Sequence, residues 1–237
     1  DYAKCYNDYM PGTRYEYCNL GFNTLGTIVE KISGTRFDIY VKNKILDPLK
    51  LTASFNVDDL QGYSLASLYS ADTTGKPVFT LAESAYLSRK GIIDSGKYVI
   101  GYSAPLFSPT GGMKISAPGL AKYMIMHMNY GLDPETGTRI INEESSKLMQ
   151  TPVIGTGESD SYCMGLTKSS TLIPGETMTG HTGSAYGLFS GMYFEPEKKF
   201  GVVMMTNGTT SQYGNYVDGF APVQREVMRI LYEAFIK

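Results

Sequence analysis

The sequence predicts an α+β fold, an antiparallel β-sheet flanked by helices with a mainly helical part ahead of it. Two observations carry this prediction. Apolar residues recur at helical spacing in four segments before Pro152, and beyond it the period changes to that of strands. A final helical stripe then follows Pro222. The 237 residues are enough for one domain with a substantial core. The reading divides that domain, 1–237, into a mainly helical and irregular part over 20–160 and a sheet meander with its closing helix over 161–237.

The first helix follows Asn19, with Leu20, Leu25, Ile28, Val29 and Ile32 in periodic register and Gly34 as a left-handed stop. A second spans about 36–46, with Phe37, Tyr40, Val41 and Ile45 on one face, and Pro48 forbids its continuation. Residues 52–112 lack strong periodicity, as a functional surface often does. Ser116 caps a third helix reaching about Tyr130, in which Leu120, Tyr123, Met124, His127 and Met128 share a face and His127 is structural. A fourth covers 143–150. Gly155-Thr156-Gly157 lacks the third glycine of a dinucleotide loop and is expected as a surface turn. Strands are predicted over 162–166, 177–184, 186–194 and 200–206, with Glu195–Lys199 as a polar turn. The closing helix buries a stripe of Val223, Val227, Ile230, Leu231, Ala234 and Phe235.

Composition excludes several chemistries. A net charge of -2 gives no basic field for a nucleic acid backbone. The longest apolar runs are too short to span a bilayer. Three cysteines without C-x-x-C spacing exclude a zinc ribbon, and two histidines without H-E-x-x-H argue against a zinc hydrolase. There is no G-x-S-x-G nucleophile elbow.

Two short motifs remain. Tyr17-Cys18-Asn19 opens into the first helix, and Gly180-His181-Thr182-Gly183-Ser184 lies on the strand that begins the meander. Taken singly, each has a plain reading: Tyr17 packs, Asn19 caps its helix, and Gly180, Gly183 and Gly187 relieve crowding. In this order they resemble the serine β-lactamase and penicillin-binding protein superfamily, in its class C or esterase-like branch. Tyr17-Cys18-Asn19 is similar to that branch's Y-x-N, and His181-Thr182-Gly183 to its K-T-G in an H-T-G form. Gly111-Gly112 with Ser116, and Asp47-Pro48-Leu49, resemble further landmarks of the family.

The resemblance implies acyl transfer through a serine ester, with a base for the serine proton and two N–H groups for the oxyanion. It implies Tyr17 as proton relay and Asn19 as holder of the substrate's acyl-side carbonyl. It implies that the His181–Ser184 strand, Gly183 included, lies along the substrate. Thr182 then offers its hydroxyl on the leaving side, and the backbone N–H of Ser184 is one oxyanion donor. The partner is a small-molecule or peptide substrate, with no metal or organic cofactor, and the location is the periplasm, cell surface or outside.

Two departures qualify this. Histidine stands where the family has lysine, and an imidazole is largely neutral at pH 7. The family's nucleophile motif S-x-x-K is absent: no lysine has serine three residues before it. The expectation is therefore that the N-terminal part is missing, and that an upstream segment of the same protein carries the serine, the lysine and the first strands. Apolar surface near Val227, Leu231 and Phe235 and one sheet edge should then lie uncovered. The alternatives are a non-catalytic penicillin-binding-like domain that holds a peptide or cell-wall fragment, or a plain structural domain with Tyr17 and His181 far apart.

Overall fold

The computed structural model describes residues 5–155, 160–210 and 216–237. The turn expected at Gly155-Thr156-Gly157 reaches into 156–159 and so lies outside the described residues. Helix α1 spans Asn19–Ser33, between an N-cap at Cys18, whose Sγ accepts the Gly21 N–H at 3.4 Å, and Gly34 at φ 65°. Its buried face is not its apolar stripe. Leu20, Leu25, Ile28 and Ile32 are exposed, Ile32 by 83%, while Gly26 and Glu30 are buried. The reason is a close approach at Gly26, where a Cβ would stand 2.3 Å from Pro109 Cγ. One turn later the Glu30 carboxylate accepts the N–H groups of Phe37 and Gly101, each at 2.8 Å, and the Tyr98 hydroxyl. Three donors offset the cost of burying that carboxylate.

Helix α2 spans Phe37–Val41 and widens into a π turn over Lys42–Leu46, where the sequence predicts one regular helix. Phe37, Val41, Leu46 and Leu49 enter a first core with Phe55 and Phe107. Strand β1, Ala53–Ser54, opens the irregular region, which also holds a hairpin of β2, Tyr69–Asp72, and β3, Val78–Leu81, and the short helix α3, Lys90–Asp94. The hairpin escapes a periodicity search because β3 is exposed on both faces. Strand β4, Lys114–Ile115, pairs with β1.

Ser116 caps helix α4, Ala117–Met128, through its Oγ on the Gly119 N–H at 3.2 Å. Met126 lies in the first core, and Met124 and Met128 pack against the sheet with Cys163, Leu166, Met192 and Phe194. Between them His127 is buried against the edge of Tyr123, and burial holds its imidazole pKa down at about 4. Helix α5 spans Glu143–Met149.

The main sheet contains β5 (Ile154–Gly155), β6 (Asp160–Tyr162), β7 (Thr167–Ser169), β8 (Met178–Ala185), β9 (Leu188–Glu195) and β10 (Phe200–Met205). Its order is β10-β9-β8-β7-β6-β5, antiparallel throughout. The strand predicted over 162–166 is instead mostly the turn between β6 and β7, closed by the Cys163 N–H on Leu166 O at 2.8 Å. Tyr186 also leaves the strand assigned to it. With Gly187 it forms a two-residue hairpin turn, φ 53° and 80°.

Helix α6, Pro222–Phe235, covers one face of the sheet. Its buried positions are Gln224 and Met228, with Val223, Val227, Leu231 and Tyr232 half-buried beside them. Ile230 and Phe235, assigned to the buried stripe from sequence, are 63% and 81% exposed. The outer edge of β10 has no neighbour among the described strands.

Glu30→Ala strands the Phe37 and Gly101 N–H groups. A loss of about 3 kcal/mol is expected in urea denaturation. His127 gives a second expectation. Its folded pKa lies below the unfolded value of about 6.5, so its stabilisation is complete above pH 6.5 and is lost as pH falls toward 4. Between those limits wild type should lose about 3 kcal/mol more stability than His127→Gln, as read from denaturation at each pH.

Candidate active site

Tyr17, Asn19, His181, Thr182, Gly183 and Ser184 line a single cleft of about 1990 Å³. The rings of Tyr17 and His181 have their centroids 6.2 Å apart. Fold packing thus brings the two ends of the sequence motif pair onto one surface, and a plain domain with these side chains far apart is excluded.

Each side chain has an identifiable support. The segment carrying Tyr17 leans on the β6–β7 hairpin: the rings of Tyr15 and Tyr162 stand 4.8 Å apart, and Phe22 lies beside Gly165. Asn19 is the first residue of α1, since Cys18 takes the cap. Its Oδ1 is therefore available and accepts the Thr110 hydroxyl at 2.7 Å, which turns the Asn19 amide NH₂ to other partners. Thr110, Gly111 and Gly112 line the cleft beside it. His181 Nδ1 lies 2.6 Å from the Thr182 carbonyl oxygen. A carbonyl only accepts, so Nδ1 carries the proton and Nε2 is the nitrogen left over.

Strand β8 is paired on both sides only as far as Gly180. From His181 to Ala185 it has β9 on one side and no described strand on the other. That half-open edge is a row of backbone donors and acceptors available to an extended ligand. The glycines also serve the sheet. A Cβ at Gly180 would meet the Met192 carbonyl oxygen at 1.9 Å, and one at Gly183 would meet Ser190 Oγ at 2.5 Å.

The sequence reading missed Gln224. This fully buried side chain donates from Nε2 to Gly183 O at 3.1 Å and Ser190 O at 2.7 Å, and accepts the Ala221 N–H at 2.9 Å. It ties the start of α6 to both strands at the open edge. A glutamine three residues past a helix start is a capping signal, and that was the legible hint.

The charges on the cleft are few. Arg89 and Lys114 are the lysine and arginine residues among its described lining, and Asp160 and Asp218 the acids. Burial is the main cause that raises the Asp160 pKa, with the Asp218 charge adding to it. Six serines reach the surface, Ser64, Ser84, Ser108, Ser116, Ser184 and Ser190. Among the described residues none of them hydrogen-bonds to a lysine, histidine or tyrosine side chain, and Ser116 is occupied as a helix cap. No cluster of three or more His, Cys, Asp or Glu among the described residues could hold a metal ion.

Gln224→Met leaves the Ala221 N–H unpaired and frees the carbonyls of Gly183 and Ser190. A destabilisation of about 2 kcal/mol is expected, with faster amide exchange over 183–190 as the local signature.

Comparison with known proteins agrees with this geometry. A family model described as Beta-lactamase matches residues 1–221. Penicillin-binding protein 4 of Amycolatopsis lactamdurans is 26% identical over 212 residues, 85% of this chain and 49% of that protein. The chain therefore spans about half the length of this curated relative. Among solved structures, the octameric penicillin-binding protein homologue from Pyrococcus abyssi superposes with a TM-score of 0.68 at 26% identity, over 95% of this chain and 44% of the other. A D-stereospecific amidohydrolase from a Streptomyces species shares the fold, with a TM-score of 0.64 at 18% identity, over 97% of this chain and 57% of the other. The paired tyrosine and histidine motifs on one cleft, with a model match over nearly the whole chain, make this protein a member of the β-lactamase family of the serine β-lactamase and penicillin-binding protein superfamily.

Proposed function

We propose that this chain supplies the proton-relay and oxyanion side of a serine hydrolase site acting on an ester, an amide or a β-lactam. The observation that carries the proposal is the approach of Tyr17 to His181 on a cleft that also holds Asn19 and the Ser184 end of β8. The nucleophile is expected from an S-x-x-K segment upstream, because among the described residues no cleft serine hydrogen-bonds to a base. The serine oxygen attacks the acyl carbonyl and gives its proton to the Tyr17 oxygen, which passes it to the leaving nitrogen or oxygen. The Asn19 amide N–H holds the acyl-side carbonyl, since its Oδ1 is engaged by Thr110. The Ser184 N–H stabilises the oxyanion together with the N–H of the nucleophile itself. Thr182 and His181 meet the leaving side, where a singly bonded imidazole favours small or neutral groups over carboxylates.

The chain contains no helix, among the described residues, long and apolar enough to cross a membrane. Its place outside the cytoplasm is proposed from its likeness to a penicillin-binding protein. A non-catalytic reading shares the same open edge of β8 as a peptide seat, and it is favoured by the lack, among the described residues, of a base hydrogen-bonded to a cleft serine.

The test is covalent labelling followed by kinetics. This chain alone, treated with a fluorophosphonate or a fluorescent penicillin, should yield no serine adduct by mass spectrometry. Joined to its upstream segment it should acylate, and Tyr17→Phe should slow acylation by about 10² to 10⁴ without changing the fold. Stoichiometric labelling of the chain alone would place the nucleophile within residues 1–237. An unchanged rate in Tyr17→Phe would assign the relay elsewhere.

A further inference from the structure

Two cationic side chains line the cleft without an ion pair among the described residues; the Asp58 carboxylate meets Arg89 only by accepting its backbone N–H, at 3.1 Å. Lys114 is half-buried, and its ammonium donates to the carbonyls of Gly112 at 2.7 Å and Phe55 at 3.1 Å. That leaves one N–H unassigned. Arg89, also half-buried, uses Nε on the Leu106 carbonyl at 2.9 Å, and its two terminal amino groups have no partner among the described residues. Neither forms an ion pair with any described carboxylate. Burial lowers the Lys114 pKa, and the neighbouring Arg89 charge lowers it further, so the two cations feel each other. Holding two like charges together in a partly desolvated wall costs free energy that an anion between them would recover.

Their place fixes which part of a ligand they meet. Lys114 is anchored on Gly112, two residues from Thr110, whose hydroxyl holds Asn19 Oδ1. Arg89 holds the Leu106 carbonyl of the same loop, so both cations border the stretch of cleft that meets Asn19, whereas His181 and Thr182 lie on β8. The two acids of the lining neutralise neither cation. Asp218 lies 3.6 Å from Arg225 Nη1, and Asp160 sits on β6 beside Gly219.

We propose that Arg89 and Lys114 form a subsite for a carboxylate carried on the acyl side of the substrate, so that the protein selects acidic acyl groups. This rests on the reading of Asn19 as the acyl-side holder. Holding loop carbonyls accounts for Lys114's two short bonds and for Arg89 Nε. It leaves unexplained why both free donor sets border the same cleft.

The experiment titrates the chain with N-acetyl-D-glutamate and with its neutral isostere N-acetyl-D-glutamine, following amide shifts by NMR. Wild type should bind the glutamate form at least tenfold more tightly. Lys114→Met and Arg89→Gln should each reduce that preference, and the double variant should abolish it while binding the neutral compound as before. Thermal melts of each variant confirm folding, and Lys114→Arg, which keeps the charge, should retain the preference. Equal affinity of wild type for the two compounds would overturn the subsite and leave the cleft reading in place. A preference that survives in the double variant would place the carboxylate elsewhere and overturn it as well. Binding of neither compound would overturn both the subsite and the assignment of Asn19. Inorganic phosphate that competes fully with N-acetyl-D-glutamate but not with the neutral compound would support the pair as the anion contact. Phosphate displacing both equally would count against it.

Discussion

Helix α4 packs on two cores at once, and the cleft depends on it. Met124 and Met128 are four residues apart and share a face, which lies on the sheet with Met192 and Phe194. Met126 points the opposite way, into the core of α2 and the loops that follow it. The helix is thus a spacer of fixed thickness between the part of the chain that presents Asn19 and the part that presents His181. Its N-terminus, capped by Ser116, is continuous with β4, which pairs with β1 and holds Lys114 at the cleft wall. A methionine is well suited to both faces, since its unbranched thioether fills irregular gaps. The close packing is visible at the sheet, where Gly201 leaves room for Met124.

What the sequence made legible was local, and what it hid was set by distant partners. Y-x-N and H-T-G could be read because each places its chemistry within three residues, and the strand period around the second is clear. The helices were equally plain, since Gly34, Pro48 and Ser116 mark their ends by backbone chemistry alone. The face that α1 buries was not legible. Pro109 and the loop near Tyr98 choose it, and they choose Gly26 and Glu30 over four aliphatic residues. Cys163 and Leu166 misled in a related way: both are buried, but they sit in a turn. Gln224 inverted the usual rule by placing an amide in the core of a helix–sheet contact, where three polar partners accept or donate to it. Hydrophobic patterning finds apolar positions; at Glu30 and Gln224 polar satisfaction overrides it, and at Cys163 and Leu166 it finds the burial but not the turn.

The charge layout follows from the histidine at 181. A lysine there would put a permanent positive charge on β8. The imidazole instead spends its Nδ1 proton on the Thr182 carbonyl, so its contribution to that side is one nitrogen and a flat ring facing Tyr17. The permanent cations of the described cleft lining are Arg89 and Lys114, neither of them on β8. On the proposed subsite, a substrate would carry its negative charge near Asn19 rather than beside Thr182. The chain's slight overall negative charge gives no long-range attraction for such a ligand, so recognition has to be local.

The exposed stripe of α1 bears on where the nucleophile comes from. Leu20, Leu25, Ile28 and Ile32 lie in helical register along one side of the helix that begins at Asn19, and all four are open to solvent. Burying what these side chains still expose contributes about 3.5 kcal/mol at the lower figure for each, before the cost of ordering a partner. A helix that packs on its polar side while presenting an aliphatic stripe is half of an interface. The stripe starts at the cleft, because Asn19 is the first residue of the helix and Leu20 the second. Any segment laid along it therefore ends beside Tyr17 and Asn19, where the serines already present lack a base. Under the proposed function, a segment of this kind would be the one that carries S-x-x-K. Among the described strands the outer edge of β10 is likewise unpaired, and Phe235 on α6 is exposed, so a second apolar surface lies away from the α1 stripe.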